Sequence, residues 1–393
     1  MIVFYFLSIC VINPLYAQVS GCDCRTEIEF LDSKIRKSAP YKNNKENYQE
    51  AYNLLKIDGI QDGSSYDCYE AMVHLSLSLN DAHTRIYGLK PDTSDYHLIN
   101  HPIFEGDIDS LLHQLKLKLA HEKEGVYHNE EGFKIGVHHL KSKNIYESVV
   151  IESPSELWRP GEILYRHIPY GNDFLLTYGG QLSTRRYISF TGRMKNGTML
   201  RAGFAKAAIT SDFSHALHPS STYKREEISD EISYLKLGSF NSFYPTLSDA
   251  EKFYADIRDS LTKKHLIVDL RDNFGGGKRN SDIILKILQK YMKKNRVYLI
   301  SNHNTSSNAE QFILKLKKND NVVLVGERTS GTLSYEIKNS THTLPCSETV
   351  AQLTSKTHKK YLPYETQGIE PDRYLDYTHS WVEQIISIIH KNP

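Results

Sequence analysis

The chain has 393 residues, of which 39% are hydrophobic and 24% charged, and its formal net charge is +1. That is enough apolar material for two or three packed domains, and it excludes wholesale disorder. No basic block or basic-aromatic stripe stands out, so nucleic acid is not expected as a partner.

Ile2 to Ile12 is almost free of polar residues and is followed by Asn13-Pro14. The run is too short to span a bilayer and suits a secretory h-region, although no Lys or Arg precedes it. Residues 1–17 therefore read as a signal peptide ending at Ala17, and the protein is expected to be exported, periplasmic or extracellular. Val19-Ser20-Gly21-Cys22 resembles a bacterial lipobox. That second reading would place a lipid anchor on Cys22. No later segment is expected to cross a membrane. Cys22, Cys24, Cys68 and Cys346 remain after cleavage, an even count that permits disulfides in an exported chain. Cys22 or Cys24 with Cys68 would staple the first helices; the alternative is four unpaired or merely buried cysteines. Cys22-x-Cys24 is too tight for the usual zinc pair, and no second pair follows, so no metal or other cofactor is expected.

Helical spacing (Ile28, Leu31, Ile35; Tyr69, Met72, Val73, Leu77) predicts an N-terminal helical domain over 22–90. It ends in the polar break Leu79-Asn-Asp81-Ala-His83-Thr-Arg85. A short helix is predicted from Asp109 to Glu122. Residues 120–211 read as a β-rich middle region. There Phe133 to Val137, Tyr146 to Ile151, Arg186 to Phe190 and Met199 to Ala205 are short, alternating and bounded by turn residues. Ser211 to Lys224 reads as a linker. Residues 225–393 read as an α/β domain, with strands at Ile232–Leu237, Leu266–Leu270, Val297–Ile300 and Val322–Val325. The helices between them are expected to be capped at Ser248 (with Glu251), at Asn280 or Ser281, and at Ser306 or Ser307. A last helix is predicted from Ser380 to His390.

Two segments of this domain carry chemistry. The buried strand Leu266 to Leu270 runs through Arg271-Asp-Asn-Phe into Gly275-Gly276-Gly277, and Asn304-Thr-Ser306-Ser307-Asn308-Ala309-Glu310 opens a helix. Three glycines after a buried strand let backbone N–H groups approach a ligand closely. A serine at a helix N-terminus offers a hydroxyl near the positive dipole end. Each feature alone has a bland reading, a flexible turn and an ordinary N-cap. Together they point to an oxyanion hole beside an attacking hydroxyl, and so to acyl transfer. A phosphate loop would need Gly-Lys-Ser or Gly-Lys-Thr, where this chain has Gly277-Lys278-Arg279.

The glycine loop, Ser307-Asn-Ala309-Glu310 and Val325-Gly-Glu-Arg-Thr329-Ser-Gly331 resemble, in order and spacing, the tail-specific and C-terminal-processing serine peptidases. That clan SK family includes the tricorn core and the interphotoreceptor retinoid-binding repeats. Leu79-Asn-Asp81-Ala-His83-Thr is similar to its upstream histidine segment, and Gly368-Ile-Glu-Pro-Asp372 to its closing strand. The resemblance implies a crotonase/ClpP-like strand-helix spiral and a protein or peptide substrate. It assigns Ser307 as nucleophile, His83 as general base and Glu365 as its assistant, with Gly275, Gly276 and Asn308 forming the oxyanion and substrate-binding loop. Thr332 stands where processing members carry a lysine, so the tricorn-type histidine arrangement is the expected one. Thr332 and Ala82 also keep a second reading open, a non-catalytic ligand- or peptide-binding protein on the same scaffold.

Overall fold

The computed structural model of the protein describes residues 23–57, 65–88, 99–170, 174–206, 213–218, 222–338, 340–347 and 349–391. The predicted leader and Cys22 lie outside the described residues. Among the described residues, no helix is long and apolar enough to cross a membrane.

Helices α1 (Cys24–Ile35) and α3 (Ser65–Leu77) form at the predicted apolar spacing, with α2 (Lys45–Ile57) between them. Asp23 caps α1 through its carboxylate, which accepts the Thr26 N–H at 2.8 Å. Ile28, Leu31 and Ile35 meet Tyr69, Met72 and Val73 in one buried cluster. A Cys24–Cys68 disulfide ties α1 to α3. Asn80, at φ 47°, ends the α3 segment in the left-handed conformation that asparagine tolerates. Strand β1 (Arg85–Gly88) follows.

Helix α4 (Ile108–Lys116) is shorter than predicted. Beyond it the Glu122 carboxylate accepts the Leu119 N–H at 2.6 Å and folds the chain into a turn. Leu111 and Leu115 pack on Val149. The middle region is one antiparallel sheet built from β2 (Gly125–His128), β3 (Lys134–Leu140), β4 (Ile145–Glu152), β5 (Ile163–Pro169), β6 (Leu175–Gly180), β7 (Tyr187–Gly192), β8 (Met194–Lys195), β9 (Thr198–Met199) and β10 (Phe204–Ala205). Its order is β7-β6-β5-β4-β3-β2-β10-β9-β8. The single strand expected from Met199 to Ala205 is instead a turn between two short strands, pivoting at Gly203 with φ +73°.

The last sheet begins with β11 (Tyr223–Glu227), β12 (Ile232–Leu237), β13 (His265–Asp269), β14 (Arg296–Ser301) and β15 (Val322–Gly326). The end of the expected linker is thus a strand, antiparallel to β12. β12 to β15 are parallel and consecutive, as crossover helices require. Those helices are α5 (Thr246–Ile257), α6 (Lys278–Tyr291) and α7 (Asn308–Leu316). Two expected caps are corrected. α5 begins at Pro245 because Leu247 is drawn into the core, which leaves Ser248 inside the helix. α6 is capped by Gly277. Asn280 is fully buried and bonds Tyr254, Tyr223 and the Asn241 carbonyl instead.

Two small ladders follow, from β16 (Tyr335–Glu336), β17 (Thr341–Thr343), β18 (Thr349–Gln352) and β19 (Lys356–Thr357). β20 (Arg373–Tyr374) then pairs with β15, just beyond the closing strand expected at Gly368–Asp372. Helix α8 (Trp381–Lys391) covers the sheet face opposite α5 to α7. Both faces are therefore buried: Leu266 and Val268 face one cluster, Ile267 the other.

The disulfide closes a separation of 44 residues. Chain entropy alone gives such a crosslink about 3–4 kcal/mol. Reduction, or Cys24→Ser with Cys68→Ser, should lower the thermal midpoint of the oxidised protein by several degrees in a calorimetric scan.

Candidate active site

Beyond β13 the chain turns through Asp272, at φ 56°, into the glycine loop. Asn302 fastens this turn to the one that carries Ser307. Its Oδ1 accepts the N–H groups of Asp272, Asn304 and Thr305 at 3.0–3.1 Å. Gly275 sits at φ +87°, and a Cβ there would lie 2.6 Å from the Ser306 oxygen and 2.7 Å from the Asn308 nitrogen. Gly276, at φ +136°, lies against Phe240, where a Cβ would meet backbone at 2.2 Å. These two positions exclude any other side chain by space and by conformation. The flanking N–H groups are bonded, Gly275 to Asn273 Oδ1 and Gly277 to the Phe240 carbonyl. The Gly276 and Asn308 N–H groups have no acceptor among the described residues.

Ser307 caps α7 at φ 57°, ψ −122°, a conformation that costs a non-glycine residue about 1–3 kcal/mol. Its N–H donates to Glu310 Oε2 at 2.9 Å. Its Oγ lies 3.1 Å from His83 Nε2. Glu310 is fully buried and also accepts from Thr332 N–H, Gly331 N–H and Thr329 Oγ1, at 2.9, 2.8 and 2.6 Å. Burial outweighs these hydrogen bonds and pushes its carboxyl up to about 7.

His83 is 224 residues from Ser307 in sequence, and β1 brings it there. β1 pairs antiparallel with β18, Arg85 opposite Gln352. The Gln352 amide donates to the His83 carbonyl at 3.2 Å. The Asp81 carboxylate, fully buried, accepts from His83 N–H, Thr84 Oγ1 and Thr354 Oγ1 at 2.9, 2.7 and 2.6 Å. Asp81 Oδ1 is also 4.0 Å from His83 Nδ1. Burial holds the imidazole below its usual range against the opposing Asp81 charge.

Glu365 reaches the same cluster, with Asp81, His83 and Glu365 ligand atoms all within 4.8 Å of one another. Its oxygens accept backbone N–H groups: Ala82 at 3.1 Å, Leu333 at 3.0 Å and Ser334 at 2.7 Å. Burial, then the Asp81 charge, push this carboxyl up to about 8. Every site residue expected from sequence is thus in one place, on a groove of about 690 Å³ lined by His83, Ser307, Gly276 and Asn308, with Glu365 behind it. Asp81 is a site residue beyond those expected from the sequence; its place two residues before His83 is the signal that marks it.

A second serine–histidine pair has another explanation. Ser148 Oγ lies 2.7 Å from His167 Nε2, with Thr177 on the other ring nitrogen. All three are buried in the middle sheet, and burial lowers the His167 pKa to about 3. This is a satisfied core network, beside a cleft of only about 10 Å³.

A hydroxyl on a strained turn, an imidazole within hydrogen-bond reach and two unbonded N–H groups nearby define a site of the serine-hydrolase class. Residues 231–375, a little over a third of the chain, match the model of peptidase family S41, which makes this stretch a serine-type peptidase domain. No curated protein matches the chain. Among solved structures, a putative peptidase from Parabacteroides merdae ATCC 43184 aligns at 14% identity and TM-score 0.43, covering 94% of this chain and 96% of its own. Mature CPAF aligns at 11% and 0.44, covering 94% and 97%. The photosystem II D1 C-terminal processing protease aligns at 13% and 0.39, covering 94% and 97%.

Glu365 has a folded pKa raised above its unfolded value, so its contribution to stability is full in acid and is lost as pH rises through about 8. Stability should fall as pH rises from about 4.5 to about 8, by at most about 1.4 kcal/mol per unit for this group, and level off above that. Glu365→Gln should flatten that slope in urea melts taken across the window.

Proposed function

We propose that this protein is an exported serine endopeptidase that cuts peptide bonds through an acyl-enzyme on Ser307. The observation that carries the reading is the 3.1 Å approach of His83 Nε2 to Ser307 Oγ beside the unbonded Gly276 and Asn308 N–H groups. His83 takes the Ser307 proton as the hydroxyl attacks the scissile carbonyl, then returns it to the leaving amine. With Nε2 accepting, the ring proton is on Nδ1, facing Asp81. Asp81 therefore stabilises the imidazolium, and Glu365 assists by holding the Ala82 N–H of the histidine loop. Gly276 and Asn308 receive the oxyanion, with Gly275 giving them room. Water then repeats the attack on the acyl-enzyme. In this reading the 225–393 unit is a crotonase/ClpP-like spiral, 22–90 delivers the histidine, and 120–211 shapes the groove. The leader at 1–17 directs export, and a lipid anchor at Cys22 is the alternative to release.

Hydrolysis of unfolded casein, followed by amine release, tests the proposal. Ser307→Ala and His83→Ala should each lower turnover about a thousandfold or more, while Ser306→Ala retains it. Undiminished turnover in Ser307→Ala would overturn the assignment. No conversion by a folded wild type would favour the ligand-binding alternative.

The lowered His83 pKa sets the pH profile. The base is neutral through neutral pH, so the acid limb of kcat/KM should have its midpoint below 6.5. Asp81→Asn should cost more in kcat than Glu365→Gln, because Asp81 faces the ring nitrogen and Glu365 faces backbone.

A further inference from the structure

Most of the half-buried and buried arginines in this protein have an acidic partner. Arg166 pairs with Glu70 and Glu147, Arg185 with Glu162, Arg193 with Glu327, Arg271 with Asp269 and Arg328 with Glu370. Two do not. Arg85 and Arg201 are half-buried, and among the described residues neither has a carboxylate within ion-pair distance. Both line the groove that holds His83 and Ser307. The Arg85 guanidinium makes no hydrogen bond among the described residues. Arg201 makes one, from Nη1 to the Thr191 carbonyl at 2.9 Å, and rests 5.9 Å over the Phe274 ring. None of their remaining guanidinium nitrogens is a fully buried orphan.

The Arg85 charge reaches Arg201 across the groove wall. Burial and then the Arg85 charge hold the Arg201 guanidinium down at about 10, far below the usual arginine range. Arg85 is likewise held below its usual value, chiefly by burial. The Asp81 charge opposes that lowering at Arg85 but is itself engaged by His83 N–H, Thr84 and Thr354, and Glu336, a carboxylate on the groove wall, is engaged by Lys356 at 3.2 Å and His358 at 3.0 Å. Two like charges kept together in a partly dehydrated groove create a positive potential that a carboxylate relieves.

We propose that Arg85 and Arg201 form a carboxylate-binding subsite beside the scissile bond, so that the groove selects substrates carrying an acidic side chain or a free terminal carboxylate there. Arg85 is two residues from His83, which places the subsite next to the chemistry. Phe274, half exposed beneath Arg201, presents an apolar surface to the same substrate segment. This subsite rests on the peptidase reading of the groove, and the experiment separates the two.

Fluorescent random hexapeptides with a fixed central Glu or Gln, each as C-terminal acid or amide, are titrated against Ser307→Ala protein. The same pools are offered to the wild type for cleavage. The Glu pool, the acid pool or both should bind about tenfold better than their neutral counterparts. A preference that follows Glu over Gln identifies the side chain as the source; one that follows acid over amide identifies the terminus. Arg85→Gln with Arg201→Gln, added to Ser307→Ala, should narrow the ratio to about twofold. The Arg85 side chain makes no hydrogen bond or ion pair among the described residues, so Arg85→Gln alone tests the idea if the double variant fails to fold. Equal binding of charged and neutral pools, or a preference unchanged in the Gln variants, would overturn the subsite. Cleavage without charge preference refutes the subsite and leaves the peptidase reading intact. Preference without cleavage supports the subsite and refutes that reading.

Discussion

One buried carboxylate holds the candidate site together. Glu310 receives four donors: the backbone N–H of Ser307, the hydroxyl of Thr329 and the N–H groups of Gly331 and Thr332. It thereby locks the start of α7 to the turn after β15. The Ser307 backbone lies outside the ordinary helical and extended regions, and such strain persists only when neighbours over-determine it. Glu310 supplies that constraint, because it satisfies the Ser307 N–H in the strained geometry. The Ser307 hydroxyl is then directed at His83. Removing a carboxylate that satisfies four buried donors would strand all of them, which is far costlier than losing one exposed cap.

The histidine reaches this site by a second set of constraints. β1 is stitched to β18, Asp81 is gripped by Thr84 and Thr354, and Glu365 holds the Ala82 N–H. The amino-terminal helices and the carboxyl-terminal domain are therefore joined at the site itself. The middle sheet is joined nearby, where Arg193 meets the buried Glu327, which also holds His303 at 2.9 Å. His303 is four residues before Ser307, so a charge pair from the middle region braces the serine turn. Such a buried pair is weak evidence for stability, but it fixes one arrangement of the two regions.

Much of this was legible in sequence because its physics is local. Continuous apolar strands alternating with 3.6-period helices gave β12 to β15 and α5 to α7. The three glycines and the serine at the helix start marked the two turns. β5 and β6 were not recognised: every residue of β6 is buried, so it lacks the alternation that marks a half-exposed strand. Ser248 and Asn280 carry the right chemistry for caps, yet core packing of Leu247 and the three hydrogen bonds of Asn280 moved both into their helices. The meeting of Arg85 with Arg201 on one groove depends on a pairing across more than a hundred residues, and no local pattern encodes it.

The central claim is that His83 activates Ser307. Its most direct test is reaction of the folded, leader-free protein with a fluorophosphonate, followed by peptide mapping of the modified residue. The account predicts a single label on Ser307, retained in Ser306→Ala and lost in His83→Ala. A label on Ser306, or labelling of Ser307 that is as fast in His83→Ala as in the wild type, would contradict it.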